Sequence, residues 1–256
     1  MRHMLLQLSY LGGAYAGFQV QQNAVTVQQT LQDALERLLG QRPPVKGCSR
    51  TDAGVHAARY YCTVPFEKDL PEQRIPAALN AHLPGDISVL AAREVAEEFH
   101  PRYMARAKRY QYRWWLHRSR NVFLAATSCH HPAALDADTV IALAPLFEGR
   151  YDFAGFQSSG SAVADTVRTI HRCEAVLEDR LLTLTVVGDG FLYNMVRIMA
   201  GTLAAAAKGG DEDIAGILAS RERGRAGPTA PAHGLTLMQV YYQPGTTGLP
   251  ETEVPL

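Results

Sequence analysis

The 256-residue chain lacks most of the features that announce a chemistry. It has no net charge, since 25 Lys and Arg balance 25 Asp and Glu, so the global attraction of a strongly basic protein for nucleic acid is missing. Its four cysteines, Cys48, Cys62, Cys129 and Cys173, are scattered and form no Cys-x-x-Cys pair, which speaks against a disulfide framework. Cys129-His130-His131 groups three potential ligands, but no second pair stands at metal-ligand spacing, so no metal is expected and the trio reads as a surface cluster. No apolar run approaches the roughly 18 residues of a membrane span. The longest, Ala200 to Ala207, is broken by Gly201 and Thr202. The first ten residues place a polar group every second or third position, unlike a secretory signal, so a cytoplasmic protein is expected. What remains, 47% hydrophobic and 20% charged residues, is the balance of an ordinary globular chain.

The first hundred residues read β-α-β-β-α-β. Near-alternation over His3 to Tyr10 predicts a half-buried strand. Thr26 and Gln29 have capping-box spacing, and Val27, Leu31, Ala34, Leu35 and Leu38 then recur at helical period until Gly40. A short strand leads to Gly47, a second spans Ala58 to Phe66, a helix spans Leu70 to Leu83, and a strand returns over Ile87 to Val95. Beyond it come a strand at Arg106 to Leu116, a helix at Asp138 to Phe147, and a hairpin turning at Glu178-Asp179-Arg180. Helices at Phe191 to Ala207 and Asp211 to Ala219 and a strand at Leu235 to Tyr242 follow. The expected architecture is α+β: two ferredoxin-like (split βαβ) halves, 1–103 and 104–243, and a loose tail over 244–256.

Three segments carry reactive or cationic groups. Gly47 to Ala57 packs Arg50, Asp52 and His56 among small residues between two strands. It reads either as a surface turn in which Thr51 and Asp52 cap amides, or as a carboxylate held beside a guanidinium and poised as an anionic nucleophile. Between Pro101 and Arg120 lie Arg102, Arg106, Lys108, Arg109, Arg113, Arg118 and Arg120 with no acid, interleaved with Tyr103, Tyr110, Tyr112, Trp114 and Trp115. Basic groups with aromatic platforms suit an RNA with exposed bases, and a solvated strand with core aromatics would look the same. In Gly188 to Arg197 an apolar stripe packs inward, while Asn194, Arg197 and Gly201 form a second stripe three and four residues apart.

Taken together the chain resembles the TruA family of tRNA pseudouridine synthases. The resemblance rests on Arg50-Thr51-Asp52-Ala53-Gly54-Val55-His56, Asn80 to Ile87, Ala107-Lys108-Arg109-Tyr110-Gln111-Tyr112, Asp152-Phe153-Ala154-Gly155-Phe156, Phe191 to Arg197, and Ala230 to Leu235, in family order over most of the chain. It implies that Asp52 is the catalytic aspartate, that Arg50 helps hold the flipped site open, and that Tyr110 stacks on the target uracil. It implies Arg197 as the basic partner of the aspartate, with Lys108 and Arg109 beside Tyr110 as substrate-binding cations. Departures fall at Leu11, Phe18 and Pro101, in loops that would flank RNA.

The implied activity is isomerisation of uridine to pseudouridine on the 3′ side of the anticodon arm (positions 38, 39 and 40 of the tRNA), by a homodimer without cofactor. Breaking N1–C1′, turning the uracil and rejoining it through C5 oxidises nothing and transfers no group. Two rivals remain at this stage. A non-catalytic single-stranded RNA-binding module would keep its function without Asp52, and a glycosidase-type enzyme would need a second carboxyl that the Gly47 to Ala57 segment does not offer.

Overall fold

The computed structural model describes residues 2–132, 135–160, 163–210 and 213–249. The chain forms two compact units, Met1–Ala107 with Leu237–Leu256, and Lys108–Thr236.

In the first unit, β1 (Arg2–Tyr10), α1 (Val27–Leu39), β2 (Lys46–Gly47), β3 (His56–Phe66), α2 (Ile75–Asn80) and β4 (Ile87–Glu94) follow the predicted order. β1 pairs antiparallel with both β3 and β4, so that Leu6 faces Cys62 on one side and Ala92 on the other. β2 pairs antiparallel with β3 through Lys46↔Thr63, which gives the order β4-β1-β3-β2. The closing strand β10 (Leu235–Tyr241) also lies beside β3. α1 forms where its cap and period predict. The Thr26 hydroxyl accepts the Gln29 amide at 3.3 Å, Gly40 leaves the helix at φ 79°, and Val27, Leu31, Ala34 and Leu35 are buried. Each of the larger side chains contributes about 1.5–3 kcal/mol by leaving water.

α2 is shorter than the expected 70–83. Proline has no N–H and is tolerated only in a first turn, so Pro76 sets the start near Ile75, after a 3-10 turn at Glu72–Arg74. The Asn80 side chain then leaves the helix to bracket Val89, accepting its amide at 2.7 Å and donating to its carbonyl at 3.0 Å.

The second unit carries β5 (Ala107–Leu116), β6 (Cys129–His131), α3 (Ala137–Leu143), β7 (Gly149–Asp152), β8 (Val167–Glu178), β9 (Leu181–Gly188), α4 (Met195–Ala206) and α5 (Ile214–Ser220). β5, β9, β8 and β7 pair antiparallel in that order, and β6 runs parallel to the end of β5. The β8–β9 hairpin turns where predicted, with Asp179 at φ 54°. β9 sits between β5 and β8 as β3 sits between β1 and β2, and the second unit runs β5-β6-α3-β7-β8-β9-α4 where the first runs β1-α1-β2-β3-α2-β4.

Two predicted helices are cut by local chemistry. The 138–147 stretch becomes α3 and a 3-10 turn at Ala144–Phe147, because Pro145 lacks the donor an α-helix needs. The 191–207 stretch starts only at Met195, because Asn194 is left-handed at φ 60°. For the helix expected at 211–219, positions 211–212 lie outside the described residues, and α5 begins after Asp213, which caps the Gly216 amide at 3.0 Å. Of the expected tail, 250–256 lie outside the described residues, while Thr247 and Leu249 are buried.

Candidate active site

The Gly47 to Ala57 segment joins β2 to β3 and is held from several sides within the first unit. Tyr60, fully buried in β3, donates its hydroxyl to the Ser49 carbonyl and accepts the Ser49 amide at 3.3 Å. Burial pushes this phenol well above its ordinary pKa, so it stays a donor. Its ring stacks on Phe18 at 4.2 Å and meets Tyr10 at 5.6 Å. Gly47 is required here, because a Cβ would overlap the Tyr60 hydroxyl and stand 2.6 Å from the Phe18 ring.

Tyr10 and Thr51 share a hydroxyl–hydroxyl hydrogen bond of 2.8 Å, so Thr51 is tied to β1 rather than capping an amide. The Thr51 carbonyl accepts the Phe18 amide at 3.1 Å, and Tyr15 O accepts the Gly54 amide at 3.2 Å. Val55 N donates to Asp52 O at 3.1 Å, closing a turn over 52–55 in which Gly54 takes the left-handed position at φ 80°. Next in the chain, His56 is 2% exposed and accepts the Gly12 amide on Nδ1 at 2.9 Å. The Tyr15 hydroxyl donates to Asp86 at 2.7 Å, and Leu11 N donates to the Asp86 carbonyl at 2.9 Å, which ties the Asn80 to Ile87 motif to the same scaffold. Asp52 thus stands half-buried on a loop whose backbone is fixed before and after it, with exposed Arg50 two residues away.

In the second unit the structure links Tyr110 to the turn before α4. Tyr110 faces Val186 near the start of β5, is 7% exposed, and meets Phe191 edge-on at 5.0 Å. The left-handed Asn194 donates to Ser158 Oγ at 3.0 Å and accepts Arg197 Nη1 at 2.6 Å. Arg197 Nε donates to the Ala230 carbonyl at 2.8 Å, and Ala230 N donates back to Arg197 O at 3.0 Å. Holding Nε and Nη1 fixes the plane of the guanidinium. Gly201, one turn on, lets the 228–230 backbone touch the helix, since a Cβ there would overlap the Pro228 carbonyl oxygen. Downstream, Tyr112 OH donates to Pro231 O at 3.0 Å, and Gly234 lies against the Tyr112 ring.

A sequence profile of the tRNA pseudouridine synthase family matches residues 8–104 and 143–243, most of the chain, with the Asp52 loop and the Asn194–Arg197 turn inside the matched segments and Tyr110 between them. The chain belongs to that family. Curated relatives named tRNA pseudouridine synthase A agree along nearly their whole lengths. The protein of Ruminiclostridium cellulolyticum is 42% identical over 94% of this chain and 100% of its own. That of Citrifermentans bemidjiense is 44% identical over 95% and 98%, and that of Acetivibrio thermocellus 41% over 94% and 100%. Among solved structures the likeness is remote: the crystal structure of a Cbf5-Nop10-Gar1 complex has a TM-score of 0.45 and 12% identity, over 93% of this chain and 48% of that one. As a member of the tRNA pseudouridine synthase family, the chain is an isomerase that converts uridine to pseudouridine in tRNA.

Within this family framework the structure sorts the sequence-predicted residues. Asp52 and Arg50 stand on one loop of the first unit, and Tyr110, Lys108, Arg109 and Arg197 belong to the second. Strand alternation puts Lys108 with Tyr110 on one face of β5 and Arg109 on the other, where its Nε is buried without a hydrogen-bond partner. The aromatic platforms expected along 101–120 divide differently from the sequence reading. Tyr112 and Trp114 are at most 1% exposed and belong to the core, because the Tyr110 face of β5 turns inward, while Tyr103 is 77% exposed. Among the described residues no three His, Cys, Asp or Glu side chains gather as a metal-holding group, and no helix is long and apolar enough to cross a membrane. Sequence reasoning missed Tyr10, Tyr60, Ser158 and Ala230 as supports. Tyr60 reads as an ordinary strand residue, and its signal, a tyrosine whose hydroxyl lies against a required glycine, appears only once β2 and β3 are paired.

Proposed function

We propose that Asp52 is the anion that opens the reaction, acting at the ribose of a uridine turned out of the anticodon arm, on its 3′ side. The N1–C1′ bond breaks, the uracil rotates, C5 bonds to C1′, and C5 gives up its proton while N1 gains one. Asp52 either bonds to the sugar or assists loss of a proton from it to form a glycal. Arg197, its plane fixed by Asn194 and Ala230, is the basic partner that the reaction assigns to this carboxylate. Tyr110 stacks on the uracil and assists loss of the C5 proton. Arg50 holds the flipped site open, and Lys108 and Arg109 meet RNA backbone. Flipping costs a few kcal/mol, and stacking worth roughly 1–3 kcal/mol offsets part of it.

The observation that carries this reading is the clamped Asp52 loop. A catalytic carboxylate has to be held near its productive geometry by groups that are themselves fixed. Tyr10, Tyr60, His56 and the Gly12 and Gly47 contacts do that around a half-buried aspartate. The fold reading goes with it: the antiparallel order β4-β1-β3-β2 with α1 and α2, and its repetition in β5-β9-β8 with α3 and α4, support two ferredoxin-like halves, 1–103 and 104–243. The enzyme works in the cytoplasm, and as a homodimer, a point sedimentation of the purified chain decides. For the position on the substrate, an unmodified tRNA transcript is incubated with the chain and its pseudouridines are mapped. Product confined to the 3′ side of the anticodon arm is expected. Product in another arm would overturn the assignment.

A further inference from the structure

One cavity in the second unit is not used by the reaction above. It is open to solvent, has a volume of about 630 Å³, and is lined by Leu116, His117, Arg118, His131, Pro132, Leu135 and Arg180. Three stretches of chain converge to make it. Leu116 pairs with His131 across the parallel β5–β6 contact, and Leu116 N donates to the Arg180 carbonyl at 2.8 Å, bringing the β8–β9 turn alongside. The loop that presents Arg118 is tied down: Trp115 Nε1 donates to Ser119 O at 2.9 Å, Ser119 N donates to His117 Nδ1 at 3.1 Å, and His130 Nε2 donates to His117 O at 2.8 Å.

The chemistry of the lining is one-sided. Among the described residues the lining brings two arginines and two histidines together with Leu116, Pro132 and Leu135, and it includes no Asp or Glu. Between Glu98 and Asp136 the sequence holds no acid at all, and the acids nearest in sequence, Glu178, Asp179 and Asp136, are not in the lining. Donors in a fork geometry above an apolar floor suit a phosphate and the sugar or base attached to it. Six residues of extended strand separate Leu116 from Tyr110, about 20 Å. A ligand that occupies both places must be long, which a tRNA is and a free nucleotide is not.

We propose that this cavity is a second tRNA contact, in which Arg118 and Arg180 grip backbone phosphate of the substrate about 20 Å from the uridine being isomerised. It rests on tRNA as the substrate and adds affinity rather than chemistry. Of the Cys129-His130-His131 trio, His131 is then part of an RNA-binding wall.

The test is tRNA binding by R118A/R180A across a salt series, alongside a charge-matched control, R37A/R74A, which removes two exposed cations from the first unit. Both arginines in the cavity are exposed, and the Arg180 carbonyl contact survives substitution. At 0.15 M salt the dissociation constant of R118A/R180A is expected to rise roughly 10- to 30-fold, with the log–log salt slope shallower by about 1.4–1.8. Turnover at saturating tRNA stays at the wild-type level, and R118K/R180K restores most of the slope. Unchanged affinity and slope would overturn the proposal, as would an equal loss in the control. Stabilisation by inorganic phosphate without any change in tRNA affinity would mean a free-anion site and would equally overturn it. Loss of turnover with intact binding would overturn it too, because the two arginines would then serve the chemical step and not affinity.

Discussion

Gly201 offers a test in which general propensity and the structure predict opposite signs. In a helix interior, replacing glycine by alanine ordinarily stabilises by about 1 kcal/mol. In α4 the added Cβ would overlap the Pro228 carbonyl oxygen and stand 2.9 Å from its carbon and 3.3 Å from Ala230 N. An ordinary carbon–oxygen contact is about 3.3–3.6 Å, so helix and segment must part by more than about 1 Å. That opens the 2.8 Å Arg197 Nε bond to Ala230 O and the 3.0 Å return bond from Ala230 N. Two hydrogen bonds at about 0.5–1.5 kcal/mol each, with strain of about 1–3 kcal/mol, outweigh the propensity gain and leave a net loss near 3 kcal/mol. Urea unfolding of Gly201→Ala reads the sign, and kcat for pseudouridine formation falls roughly tenfold or more because Arg197 loses its anchor. A variant as stable as wild type with unchanged kcat would refute the argument.

Tyr60→Phe removes one hydroxyl that serves both backbone groups of Ser49, three residues before Asp52. It should cost about 1–3 kcal/mol and lower kcat with little change in KM, and an unaltered kcat would deny Tyr60 a positioning role. The Thr166 hydroxyl, ahead of the Ala154 amide and Arg221, holds the Asp152 carboxyl below its ordinary pKa. A lowered folded-state pKa stabilises above the unfolded value, near 3.9, and that contribution fades as pH drops through the folded value. The stability gap between wild type and Thr166→Val should therefore be largest at pH 7 and narrow below about pH 4; a constant gap in urea midpoints would contradict this. Burial raises the thiol pKa of Cys62, Cys129 and Cys173, so iodoacetamide at pH 8 should label the native protein far more slowly than the urea-unfolded chain. Equal labelling rates would count against this packing.

Local signals were enough for α1, whose cap, period and terminal glycine all lie within its own residues, and for the hairpin at Asp179. They were enough for the β-α-β-β-α-β order as well. Asn194 shows where they run out. Its left-handed backbone, which delays α4 to Met195, goes with bonds to Arg197 nearby and to Ser158, 36 residues away. Alternation along β5 tells which side chains share a face but not which face meets the core, so Tyr112 and Trp114 were legible as neighbours and not as buried. The parallel pairing of β6 with β5, which makes the cationic cavity, joins residues with no periodic pattern between them. Of the proposed site residues, Asp52 and Arg197 stand in legible motifs, while the groups that hold their surroundings, Tyr60 against Ser49 and Ala230 against Arg197, appear only once residues distant in sequence are brought together.

The account stands or falls on the carboxylate of Asp52. Asp52→Asn keeps the size of the side chain and removes its charge, and a single-turnover reaction with enzyme in excess over tRNA isolates the chemical step from binding. The variant is expected to bind tRNA with wild-type affinity and form no pseudouridine above background. Conversion within tenfold of the wild-type rate would contradict it, whatever the binding data show.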